Sequence, residues 1–153
     1  MKNLLKPFNI FQEKIRVGGK NPTEKEYDGN YVLSKEALKY CSAIYTYGVG
    51  EDTSAEKDLS ELINKPCYLY DHTINGYYLN ELNPFFYYKK EGLGFSLECN
   101  DFLNHYKENN TEGEVILKID VEGAEYDYLS NVNLEELEKK SCLFTYRISQ
   151  SKY

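Results

Sequence analysis

Three carboxylates crowd the exit of one apolar run, Leu117-Lys118-Ile119-Asp120-Val121-Glu122-Gly123-Ala124-Glu125. A strand that only fills a core has no need of them. At a strand end they can take a proton, hold a cation or accept hydrogen bonds from ligand hydroxyls. A second apolar run ends in the same manner, in Tyr47-Gly48-Val49-Gly50-Glu51-Asp52. Two such ends predict a ligand cleft at the carboxyl edge of an α/β sheet, where ligands bind at a reversal of strand order. Gly48 and Gly50 let a ligand approach the backbone and permit a tight turn into the next helix. The pattern is G-x-G, short of the full dinucleotide fingerprint. Asp71, roughly 20 residues further on, can accept from both hydroxyls of a ribose.

The charges narrow the ligand. A diphosphate needs bare backbone N–H groups and no carboxylate nearby, but Gly50 is followed by Glu51 and Asp52. Acids beside a glycine turn suit an ammonium or sulfonium, which is the charge pattern of S-adenosylmethionine. Asp120 and His72 are the candidate bases. His105, in a polar helix, is expected at the surface. Asp120, Glu122 and Glu125 could bind a divalent cation only if they converge, and no metal is expected.

Alternating elements must position these residues. Strands are expected at 41–47, 67–70, 85–89, 115–120 and 142–148. Helices open at Thr53, in a capping box with Glu56, at Asn100, after Gly123, and at Asn133, in a box with Glu136. Lys65-Pro66 is expected to close the first of these. Ser34 caps a short helical segment through Tyr40. Residues 1–11 are expected to form a short helix or arm, and Arg16-Val17-Gly18-Gly19-Lys20-Asn21-Pro22 is turn-rich. The order β-α-β-α-β-α-β-α-β predicts an α/β fold, a doubly wound and mostly parallel sheet with right-handed crossovers. It occupies 41–153, with 1–40 as an N-terminal extension.

Bulk properties exclude several classes. The chain has 153 residues, enough for one core, and a formal net charge of −7. That charge gives no footprint for nucleic acid. No stretch approaches the ~18 apolar residues of a membrane span, and no leader pattern opens the chain, so the expected location is the cytoplasm. Cys41, Cys67, Cys99 and Cys142 are far apart in sequence. Three of them, in or beside apolar runs, read as small buried thiols, and no disulfide framework is expected.

The run Leu117 to Glu125 resembles the K-I-D-V-E-G-A-E signature of FkbM-type S-adenosylmethionine-dependent methyltransferases. Tyr47 to Ser54 is similar to the first cofactor motif of a branch found in bacterial surface-polysaccharide clusters. Arg16-Val17-Gly18-Gly19, Asp28-Gly29-Asn30-Tyr31-Val32-Leu33 and Tyr70-Asp71-His72-Thr73 resemble its other motifs, in the right order, from about Arg16 to about Leu143. The resemblance implies a Rossmann-like methyltransferase fold with S-adenosyl-L-methionine as cofactor. It places Gly48 and Gly50 along the methionine part, Glu51 near the amino group, Asp71 on the ribose, Asn100 and Asp101 by the adenine, and Asp120 at the methyl-transfer cleft. The implied activity is O-methylation of a sugar or glycan acceptor in surface-polysaccharide synthesis.

Two departures stand out. Asn30 replaces the second glycine of a D-G-G-Y-V motif. Relatives also add helices and strands after the fifth strand, whereas this sequence stops at Tyr153. The last strands of the sheet are therefore expected to be missing, which leaves the fifth strand as an edge that a homodimer would cover. The alternatives are a truncated, non-catalytic α/β remnant or partner-binding subunit, and a nucleotide-sugar or NAD module, which the acids beside Gly50 disfavour.

Overall fold

Apolar runs four to seven residues long, rich in Ile, Val, Leu and Tyr, build the centre of the molecule in the computed structural model, which describes residues 13–19 and 29–146. For residues 29, 30 and 143–146 only the backbone is described. The expectation for 1–11 lies outside these residues. The elements are β1 (Lys14–Gly18), β2 (Gly29–Ser34), α1 (Lys35–Leu38), β3 (Cys41–Tyr47), α2 (Ser54–Ile63), β4 (Cys67–Tyr70), α3 (Leu79–Leu82), β5 (Phe86–Lys89), β6 (Gly92–Leu93), β7 (Cys99–Asn100), α4 (Phe102–Glu108), β8 (Glu114–Ile119), α5 (Glu125–Asn131), α6 (Leu134–Lys140) and β9 (Ser141–Tyr146).

Five strands form one sheet in the order β5-β4-β3-β8-β9, and every pair in it is parallel. The chain runs outward from β3 to β5, then returns to the other side of β3 as β8. The strand order therefore reverses between β3 and β8. Side chains alternate across the sheet, so successive residues of a central strand enter different cores. Ile44 and Ile116 pack with Val17, Leu33, Leu59 and Leu79 on one face. Tyr45, Tyr47, Leu117 and Ile119 pack with Phe102, Tyr128 and Leu137 on the other. Helices thus cover both faces, and the parallel α/β architecture expected from the sequence is present.

The N-terminal residues differ from expectation. Arg16, Val17 and Gly18, expected in a turn-rich stretch, belong to the strand β1, which pairs antiparallel with β2. Lys14-Ile15-Arg16-Val17 alternates polar and apolar residues, and Val17 is buried. The backbone N–H of Gly18 donates to Asp58 Oδ2 at 3.0 Å and that of Gly19 to Ser54 Oγ at 3.4 Å. The described part of 1–40 contributes Val17, Leu33 and Leu38 to the main core.

Helix ends follow sequence chemistry only in part: α4 starts at Phe102 behind Asp101, which makes no capping bond, and not at Asn100 as expected. Ser34 caps α1 and Asn133 caps α6. Thr53 makes no capping bond. Asp52 Oδ1 instead accepts from Ser54 N at 2.9 Å, and Glu56 is turned into the core. At the other end of α2, Asn64 takes the left-handed conformation at φ 54°, so the helix stops before Pro66 can act.

Cysteine pairing is the clearest correction. Cys41 and Cys142 form a disulfide, while Cys67 and Cys99 are free thiols. The bond joins residues 101 positions apart in sequence and ties β3 to β9 across β8. Bonds of this kind commonly contribute about 2–4 kcal/mol, chiefly by restricting the unfolded chain. Dithiothreitol is expected to lower Tm by roughly 10 °C, and Cys142→Ala to lower it equally and abolish the dithiothreitol effect. An unchanged melting curve would show that the bond contributes nothing.

Among the described residues, no helix is long and apolar enough to cross a membrane. In that set β9 is an edge of the sheet, as expected of the fifth strand.

Candidate functional site

The reversal between β3 and β8 brings the two motif-bearing strand ends side by side. Tyr47 pairs in register with Ile119, so Gly48 and Asp120 are the next residues out. Asp120 N donates to Tyr47 O at 2.9 Å, and Gly48 N donates to Tyr70 O at 3.0 Å. Gly48 has φ 76°, and a Cβ there would overlap the Asp120 carbonyl oxygen and lie 2.6 Å from its carbonyl carbon. Only glycine lets the β3 and β8 backbones meet in this way. Gly50, at φ 61°, has no atom of the described residues within 4 Å of where a Cβ would stand, which leaves open space beside its backbone. Glu51 and Asp52 are exposed beside it.

Asp71 sits at the end of β4, buried, and its carboxylate holds the glycine turn. Oδ2 accepts from Val49 N at 3.0 Å and Gly50 N at 3.1 Å. Oδ1 accepts from Thr73 N at 2.8 Å and Thr73 Oγ1 at 2.6 Å. Burial pushes its pKa up, but these bonds outweigh burial and hold it below the usual carboxylate value. The residue expected on a ribose is thus also a clamp on the loop that would carry the cofactor. Glu125 does the same for the loop after β8. It is buried and accepts from Val121 N at 3.1 Å and Gly123 N at 2.6 Å. The turn between is tight, with Glu122 at φ 49° and Gly123 at φ 105°. With both its oxygens on backbone N–H groups, Glu125 does not converge with Asp120 and Glu122. Among the described residues no group of three or more His, Cys, Asp or Glu forms a metal site.

Asn100 and Asp101 lie where β7 passes into α4. Asn100 Oδ1 accepts from Asp101 N at 2.9 Å and Asn104 Nδ2 at 3.1 Å. Asp101 Oδ1 accepts from Tyr128 on α5 at 2.6 Å, which ties this corner to the helix following Asp120. His72, the other candidate base, is exposed, and its ring packs against Gly92.

His105 contradicts the surface expectation. It is completely buried on α4 and stacks on Tyr70 with ring centroids 3.9 Å apart. Its Nδ1 is 2.9 Å from Tyr47 Oη and its Nε2 2.8 Å from Glu91 Oε2. Burial lowers its pKa more than Glu91 raises it, so the ring is neutral at pH 7. Tyr47, whose phenol is pushed well above its ordinary pKa by burial, donates to Nδ1, and Nε2–H donates to Glu91. The sequence held a signal for this: His105 is three residues beyond Phe102, on the apolar side of the helix.

This arrangement sets a pH dependence. The folded pKa of His105 lies below its unfolded value of about 6.5. Between the two values the unfolded chain binds more protons, so stability rises with pH there. His105's contribution is complete above about pH 6.5 and is lost as pH falls through its folded value. Urea titrations should show stability decreasing from pH 7 toward pH 5, with a flatter profile in His105→Gln. An identical slope in the variant would contradict this assignment.

Compared with models of protein families, with curated proteins and with solved structures, the chain matches none.

Proposed function

We propose that this chain is an S-adenosylmethionine-dependent methyltransferase of the Rossmann-like class, acting on a sugar hydroxyl in surface-polysaccharide synthesis. The observation that carries this reading is the meeting of Gly48 with the Asp120 backbone at the reversal of strand order, followed by Glu51 and Asp52 rather than basic residues. Ligands of doubly wound sheets bind at this place, and its charge favours a cation.

The donor set fits the cofactor. Gly50 has open space on its side-chain side, exposed Glu51 suits an ammonium group, and Asp71 suits a vicinal diol once it exchanges its Thr73 bonds for ribose hydroxyls. When bound, the cofactor supplies a methyl group already activated by its sulfonium. The chain then has to align an acceptor oxygen and take its proton, a role for Asp120 or His72. Asn100 and Asp101 would border the adenine. The reading also includes a cytoplasmic location, where Cys41 and Cys142 would be held reduced, and a homodimer through β9.

One observation favours a second reading, a non-catalytic α/β remnant or partner-binding subunit. All four hydrogen bonds to the Asp71 carboxylate come from the protein itself, as in a loop closed for structural reasons. Incubation with methyl-labelled S-adenosylmethionine and surface-polysaccharide fragments separates the two. Label on the glycan, lost in Asp120→Asn, supports the transferase. Cofactor binding without label on any acceptor supports the remnant.

A further inference from the structure

A polar cluster lies beneath the strand ends, inside the core between the sheet, α2 and the β1–β2 hairpin. Thr46 of β3 stands opposite Lys118 of β8 in register. Lys118 Nζ is 3.0 Å from Glu56 Oε1 of α2, and the Tyr31 ring of β2 lies 5.5 Å from the same ammonium. Thr46 and Glu56 are buried almost completely. Two of their atoms, Thr46 Oγ1 and Glu56 Oε2, have no hydrogen-bond partner among the described residues.

A buried hydroxyl and a buried carboxylate oxygen left unsatisfied are costly, the charged one more so. Both residues line one small, partly open void of about 10 Å³, together with Tyr31, Ile44, Ile116 and Lys118. That volume is about what a single water needs, and a water also needs two or more polar partners. An apolar void would stay dry, but Glu56 and Thr46 are among the residues that line this one.

We propose that the void is a binding site for one ordered water, which accepts from the Thr46 hydroxyl and donates to Glu56 Oε2. The water completes the shell of the Glu56–Lys118 pair and joins α2 to β3. Thr46 and Lys118 are each two residues before the Gly48–Asp120 junction, so the hydrated cluster fixes both strands below the candidate site. This inference does not depend on the methyltransferase reading.

The near-isosteric Thr46→Val substitution gives opposite signs for a wet and a dry void. If the water is present, the variant deprives it of a partner, and the unfolding equilibrium constant rises roughly fivefold. If the void is dry, the variant removes an orphaned hydroxyl and the constant falls. Crystals of the wild-type protein give the second readout, a single solvent peak in hydrogen-bond reach of Thr46 Oγ1 and Glu56 Oε2. An empty void, or a Thr46→Val protein more stable than wild type, overturns the proposal.

Discussion

Gly48→Ala is expected to destabilise the protein by about 4 kcal/mol, with the folded remainder unable to bind a ligand at the strand ends. Two causes act together. The backbone stands at φ 76°, and the added methyl would enter the Asp120 carbonyl. Relief requires β3 and β8 to separate where Asp120 N donates to Tyr47 O. Gly50→Ala is the control. Its φ of 61° is equally unfavourable for alanine, but its surroundings are open, so it should cost only about 1–2 kcal/mol. Urea unfolding of the two variants distinguishes a backbone junction from ordinary turn strain. Equal costs would remove the junction from the account.

Lys118→Met should be comparably severe, at about 3–5 kcal/mol. Glu56 is essentially inaccessible and its Oε1 is held by the Lys118 ammonium. Methionine fills similar space but leaves a buried carboxylate with neither oxygen satisfied. Removing both charges is a different matter, because a well-packed apolar pair escapes the desolvation penalty. Lys118→Met combined with Glu56→Leu should therefore recover most of the stability lost in the single variant. Denaturation of the two single variants and the double variant measures the coupling. Additive losses would show that the pair is not a unit.

The central strands were legible because their apolar runs are continuous and end in turn chemistry. The sequence placed 41–47 and 67–70 with the bounds observed. Their parallel order followed from alternation with helices. The β1 strand was obscured because Gly18-Gly19 is a strong turn signal beside a weaker alternation. Glu56 occupied a capping-box position, but local spacing cannot reveal Lys118, 62 residues away, which attracts it inward. The Cys41–Cys142 bond, at a separation of 101, is equally non-local.

For the candidate site, residue types located the strand ends but not the work of each acid. Asp71 and Glu125 were recognisable as carboxylates at strand exits. Only the folded chain shows that each holds the backbone N–H groups of an adjoining loop. Local sequence cannot distinguish a carboxylate waiting for a ligand from one already engaged by its own loop. The neutral His105 between Tyr47 and Glu91 was hidden for a related reason, since its partners come from other elements.

Isothermal titration of the purified chain with S-adenosylhomocysteine tests the central claim most directly. A cofactor site at the strand ends gives saturable binding at one site per chain, strongly weakened in Asp71→Ala while that variant remains folded. Absence of heat over a range of temperatures, or equal binding by wild type and Asp71→Ala, would contradict a cofactor site at the β3–β8 reversal.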